Sequence, residues 1–322
     1  MSDFSAKLAP ELVAVQAAAD AELGPASDLT LLPADQGRAR FIENNRWWNR
    51  DLPALERVET VIVPASDDLG TPQLSALWLV PPQARPGVVV YVHGGGFAFG
   101  SPATHERFAS ELALASGRAV LSPNYRLSPE FPFPAGLMDV VATLRAADML
   151  AASARLHPGP VAVAGDSAGA NLALAALLYE IAAGRPSPAS AAALFYGVFD
   201  ADFDSPSYQY FSDGPGLTRG KMQRYWDWYL PDPAARADPL ASPLRAEPKA
   251  MAALPPLFLL AAGIDPLLSD TERLAVRLAE AGRPVDPVVV PGVTHGFLQM
   301  TRDLPQAREA AALAGAFLRE HG

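Results

Sequence analysis

The 322-residue chain carries 25 Lys and Arg against 35 Asp and Glu, and its net charge of −10 gives a negative field that disfavours nucleic acid and anionic membranes as partners. Half of the residues are hydrophobic and 19% are charged, which fits a globular protein and excludes a disordered chain. Cysteine is absent, so disulfides, thiolate metal sites and cysteine nucleophiles are excluded, while 32 prolines, against a usual share of roughly 5%, call for rigid turns rather than a helical bundle.

Residues 1–10 have neither the basic start nor the apolar run of a secretion signal, so a cytoplasmic location is expected. Residues 10–23 begin with proline, space Leu12, Val15 and Ala19 at helical intervals and end at Gly24-Pro25, which predicts a short helix. A second helix is predicted over 34–50. It carries Phe41, Trp47 and Trp48, more aromatic surface than a terminal segment keeps without something to cover. Residues 1–55 are therefore read as N-terminal cap helices on a larger domain over 56–322.

Runs at 57–63 and 73–80, separated by Asp67-Asp68-Leu69-Gly70, predict an antiparallel strand pair. From residue 88 strands and helices alternate. Strands are predicted at 88–92, 118–121, 161–164, 191–196, 257–261 and 287–290, and helices at 104–116, 135–156, 168–183, 269–281 and 306–320. That rhythm implies an α/β protein with a mostly parallel sheet and helices on both faces. Residues 197–254 break it, holding only an aromatic-rich helix over 218–230 with Tyr225, Trp226, Trp228 and Tyr229. The part around 200–235 reads as an insertion that builds a cap together with the N-terminal helices. No window approaches the ~20 uninterrupted apolar residues needed to cross a bilayer.

The strongest local signal is Gly165-Asp166-Ser167-Ala168-Gly169 between the strand at 161–164 and the helix at 168–183. A serine squeezed between two glycines at a sharp strand-to-helix turn has the geometry of a nucleophile elbow, and the helix would bury one face and aim its positive end at Ser167. A serine hydroxyl needs a base, and the base an orienting carboxylate, both from loops at the carboxyl ends of strands. Asp265 follows one apolar strand and His295 another. Asp270 is the rival acid, but it starts a helix, where an acid is expected simply to complement the dipole. His93, His105, His157 and His321 do not both follow a strand and come after the acid. Three successive glycines after His93 let backbone amides turn toward a developing oxyanion, so Gly94 and Gly95, with Ala168, are the expected donors. A phosphate cradle would need a helix opening straight off the glycines, which Phe97-Ala98-Phe99-Gly100 does not supply.

Together His93-Gly94-Gly95-Gly96-Phe97, Tyr125-Arg126-Leu127-Ser128-Pro129-Glu130, Gly165-Asp166-Ser167-Ala168-Gly169-Ala170-Asn171, Asp265-Pro266-Leu267 and His295-Gly296-Phe297 resemble the hormone-sensitive lipase family of α/β-hydrolases. The resemblance runs in order from about residue 60 to the C-terminus. It implies an α/β-hydrolase fold and a serine carboxylesterase that acts through an acyl-enzyme on short or medium acyl esters. Ser167 would be the nucleophile, His295 the base, Asp265 its orienter, and Gly94, Gly95 and Ala168 the oxyanion donors. His93 would shape the loop, with residues 125–130 bracing it. Ala170 stands where the family often has glycine, and Ser128 where it often has alanine. No cofactor or metal is implied, the partner would be a small-molecule ester, and a homodimer is left open. An amidase or lactonase would keep the same machinery, and a non-catalytic sensor would be expected to have lost the nucleophile or base.

Overall fold

Val88 to Val92 carry no charge, and the Tyr91 hydroxyl is their one polar side-chain group, a run suited to a strand buried on both faces. In a computed structural model, which describes residues 7–322, this run lies inside β3 (Arg85–Val92) at the middle of an eight-stranded sheet. Residues 1–6, part of the stretch read for a secretion signal, lie outside the described residues. The other strands are β1 (Arg57–Val63), β2 (Leu74–Val80), β4 (Arg118–Pro123), β5 (Val161–Asp166), β6 (Ala192–Phe195), β7 (Leu257–Ile264) and β8 (Val288–Thr294). Their order is β1-β2-β4-β3-β5-β6-β7-β8. The expected antiparallel pair forms from Arg57 opposite Val80 to Val63 opposite Leu74, β2 runs antiparallel to β4, and every later pairing is parallel.

Side chains alternate across the sheet, so each buried strand feeds two cores. Val90, Val92 and Val163 meet α4 (Ala135–Ser153), α5 (Ala168–Ala182) and α9 (Leu268–Glu280) on one face. Val89, Tyr91 and Ala162 meet α3 (Glu106–Ser116) and α10 (Pro305–His321) on the other. Two expectations change. Every residue of α5 from Ala168 to Leu178 is buried, not one face, because α4 and the segment after β6 enclose it opposite the sheet. The last strand does not stop at residue 290. Ala262 pairs with Val290 and Ile264 with Thr294, so residues 291–293 bulge opposite Gly263 and the strand carries Pro291 through to Thr294.

Residues 197–254 contain no strand and hold α6 (Pro206–Tyr210), α7 (Arg219–Tyr229) and α8 (Pro248–Ala252). The N-terminal helices α1 (Pro10–Leu23) and α2 (Ala34–Trp48) form as read. Arg38 of α2 donates from Nε to the Ala98 carbonyl at 2.7 Å and from its guanidinium to the Ser128 carbonyl at 2.6 Å, and it also pairs with Glu130. Arg224 of α7 donates from Nε to Thr30 Oγ1 at 2.6 Å and pairs with Asp28. Thus α2 is tied to the loop after β3, and α7 to the turn that leads into α2.

Candidate active site

Residues of interest stand one place beyond a parallel strand: His93 after β3, Ser167 after β5, Tyr196 after β6, Asp265 after β7 and His295 after β8. The carboxyl ends of parallel strands point to the same edge of the sheet, so topology alone gathers these residues. Ser167 has φ 54° and ψ −120°, a conformation that costs of order 1–3 kcal/mol for a residue with a Cβ. Its N–H donates to the Phe195 carbonyl at 2.9 Å, which holds the turn against β6. The flanking glycines are required by contact. A Cβ on Gly165 would lie 2.4 Å from the Gly169 oxygen, and one on Gly169 2.0 Å from the Val92 oxygen.

Ser167 Oγ lies 2.9 Å from His295 Nε2, and His295 Nδ1 lies 2.7 Å from Asp265 Oδ2. Asp265 is fully buried, and its other oxygen accepts the Leu267 N–H at 2.9 Å. A carboxylate fixed from both sides sets the imidazole so that Nδ1 donates and Nε2 is left to accept. The Tyr196 ring meets His295 edge-on at 4.8 Å, a contact that no motif in the sequence announces.

Asp270, the rival acid, is turned away from the histidine. Its Oδ2 accepts the N–H groups of Phe199 at 2.7 Å and Asp200 at 3.2 Å, so it pins the start of the segment after β6. Burial pushes its pKa up to about 8. A raised carboxyl adds stability below its unfolded pKa of roughly 4, and that contribution is lost as pH rises through the folded value. Asp270→Asn, permanently neutral, escapes this loss. Its melting temperature relative to wild type is expected to climb between pH 5 and 8, and an offset that does not change with pH would refute the assignment.

The glycine loop departs from expectation at one position. The Gly94 N–H donates to Asp166 Oδ1 at 2.8 Å, an oxygen that also accepts the Tyr91 hydroxyl at 2.6 Å. Gly94 is therefore tied to the base of the loop, and Gly95 and Gly96, with φ of 119° and 60°, face the cavity beside Ser167. Asp166 itself is buried, which raises its pKa, while the bonds from Tyr91 and Gly94 pull it back. An acid ending the otherwise apolar run of β5 was the available signal, since a buried carboxyl requires partners. Tyr125 donates to the His93 carbonyl at 2.9 Å and stacks on the His93 ring at 4.3 Å, which braces the loop as the motif suggested. Burial pushes His93 down to about 3 and His105 down to about 4. Both rings are neutral near pH 7, and His105 Nε2 at 3.8 Å from Asp166 is not an ion pair.

A cavity of about 230 Å³ opens onto Ser167 and His295. Its apolar wall comes from Phe41 and Trp48 of α2, Leu217, Met222 and Tyr225 around α7, and Met300. A Cβ on Gly96 would lie 2.3 Å from the Tyr225 ring, so α7 rests directly on the glycine loop. Among the described residues no three His, Cys, Asp or Glu side chains gather as a set of metal ligands.

A family model described as alpha/beta hydrolase fold matches residues 89–299. The chain is 34% identical over 276 residues to an acetyl-hydrolase of Streptomyces hygroscopicus, a match covering 83% of this chain and 86% of the relative. It is 35% identical over 273 residues to the carboxylesterase NlhH of Mycobacterium tuberculosis, covering 83% of each. Among solved structures, a thermostable esterase from Pseudomonas putida matches with a TM-score of 0.88 at 29% identity over 98% of both chains.

Proposed function

The chain belongs to the alpha/beta hydrolase family and is a carboxylic ester hydrolase, and on that premise we propose that Ser167 is its nucleophile, His295 its general base and Asp265 the carboxylate that orients the base. The observation that carries this reading is the unbroken chain of hydrogen bonds from Ser167 Oγ through His295 to Asp265, at 2.9 and 2.7 Å. Ser167 Oγ attacks the ester carbonyl while its proton passes to His295 Nε2. The tetrahedral adduct collapses as that proton goes to the departing alkoxide, leaving an acyl-serine. Water then repeats the sequence, giving its proton to His295 and releasing the acid.

Gly95, Gly96 and Ala168 supply the N–H groups for the oxyanion, in place of the set with Gly94, whose amide is held by Asp166. The N-terminal helices and the segment around 200–235 act as a cap, because α2 and the α7 region supply the apolar wall of the cavity. A small, apolar-walled space suits short to medium acyl esters, in keeping with the name of the Streptomyces relative. We place the enzyme in the cytoplasm, acting on small-molecule esters, with a homodimer left open; among the described residues no helix is long and apolar enough to cross a membrane.

A fluorophosphonate probe is expected to label the peptide containing Ser167. On p-nitrophenyl esters, kcat/KM is expected to peak at short chains and to fall toward dodecanoate. An adduct elsewhere, or none, would overturn the nucleophile assignment, and a preference for dodecanoate would overturn the chain-length reading.

A further inference from the structure

The loop that carries the oxyanion donors is bent against ordinary backbone preference. Gly95, Gly96 and Gly100 have φ of 119°, 60° and 92°, and Phe97, which does have a Cβ, is also left-handed at φ 62°. Such a backbone persists only where its surroundings hold it. Part of the hold comes from the catalytic domain, through the Gly94 bond to Asp166 and through the Phe97 carbonyl, which accepts the Ser128 N–H at 2.9 Å. The turn also closes on itself. The Gly95 carbonyl accepts the N–H groups of Ala98 at 3.2 Å and Phe99 at 2.8 Å, so any movement at Ala98 is passed to Gly95.

A further hold comes from α2. The Arg38 guanidinium that donates to the Ala98 and Ser128 carbonyls also pairs with Glu130, which fixes its plane. Ala98 and Ser128 are buried, and among the described residues no other donor reaches either carbonyl. The helix meets the turn closely around this point. A Cβ on Gly37 would lie 2.7 Å from the Phe99 ring, and the Phe41 ring lies 5.9 Å from it. Arg38 is not among the residues that line the cavity. We propose that Arg38 is a positioning residue for the hydrolysis, which holds the turn so that the Gly95 and Gly96 amides stay aimed at the oxyanion. Without it two buried carbonyls lose their donor, and the turn shifts or takes in water to satisfy them. A helix of the cap thereby sets the geometry of the oxyanion hole. This rests on the reading of Gly95 and Gly96 as oxyanion donors to an adduct on Ser167.

The test is Arg38→Met, beside Arg38→Lys, which keeps the charge but lacks the planar fork. Rates are expressed per Ser167 titrated with the fluorophosphonate probe, so a smaller folded fraction does not register. Losing one oxyanion donor outright costs about 10²–10³ in kcat, and because displaced donors cost less, kcat/KM of Arg38→Met is expected to fall by about ten- to a hundredfold. The fall should be equal for p-nitrophenyl acetate and p-nitrophenyl butyrate, since it arises at the reacting carbon. The Ki of ethyl trifluoromethyl ketone, whose serine adduct places an oxyanion in the same hole, should rise by a similar factor. The pH midpoint of kcat/KM should stay where it is, because His295 and Asp265 are untouched. Arg38→Lys should fall between wild type and Arg38→Met. If the methionine variant does not fold, the lysine variant decides, and it must lose at least about threefold in kcat/KM with a matching rise in Ki. A kcat/KM within about twofold of wild type, a fall confined to the butyrate, an unchanged Ki or a moved pH midpoint would each overturn the proposal while leaving the esterase assignment standing. Wild-type protein that neither turns over these esters nor takes the probe would remove the reading of Ser167, and the proposal with it.

Discussion

Ser167→Ala is expected to lower kcat on p-nitrophenyl acetate by roughly a million-fold, the scale seen when a serine nucleophile that acts as one unit with its base is removed. The fold should survive. Alanine meets the same backbone conformation at φ 54° that serine already occupies, and it keeps the N–H that donates to the Phe195 carbonyl. The neighbouring Gly165 and Gly169, whose contacts forbid any side chain, are untouched. Only the Oγ that faces His295 Nε2 at 2.9 Å is lost. Steady-state kinetics beside a thermal melt checks both parts. Turnover within tenfold of wild type by a folded variant would show that the reaction does not pass through this hydroxyl.

The second large effect separates the two acids that compete in the sequence. Asp265→Asn is expected to lower kcat about ten-thousand-fold, because an amide in this place can present N–H groups to His295 Nδ1. The imidazole is then held as the tautomer with the proton on Nε2, which cannot accept the proton of Ser167. Geometry would be largely kept, since the remaining amide oxygen can still accept the Leu267 N–H seen at 2.9 Å. Asp270→Asn should change kcat only a few-fold, as that carboxyl bonds the N–H groups of Phe199 and Asp200 instead of the histidine. The reverse ranking of the two variants would exchange the roles assigned to the two residues.

What could be read from the sequence follows from where each piece of information resides. Ser167, Asp265 and His295 were legible because each ends an apolar run, and strand ends in a parallel sheet converge without further instruction. The glycine loop was legible as a feature but not residue by residue. Gly94, Gly95 and Gly96 have no side chains to tell them apart, and which amide faces the cavity is decided by Asp166, a residue 72 positions further along the chain. Tyr196 and Gln299 were not legible as site residues, because their positions beside His295 and in the cavity wall depend on how β6 and the turn after β8 pack. The all-round burial of α5 was not legible for a related reason. Alanine fits equally well against solvent or against a neighbouring helix, so a run rich in it does not disclose that every side is covered.

The position of His295 has a consequence for how activity reports on folding. Ser167 follows a strand paired on both sides, between β3 and β6, whereas His295 hangs from β8, the outermost strand, which pairs in the sheet with β7 alone, takes one further bond from the Ala9 N–H to the Gly292 carbonyl at 2.9 Å, and is bulged near its end. Edge elements open at lower free energy than the centre of a sheet. Fraying of β8 would strip the serine of its base while the central strands and the elbow stayed assembled. Turnover is therefore expected to be lost on heating or in denaturant through detachment of this one border strand, before the collapse that spectroscopy of the whole chain would record.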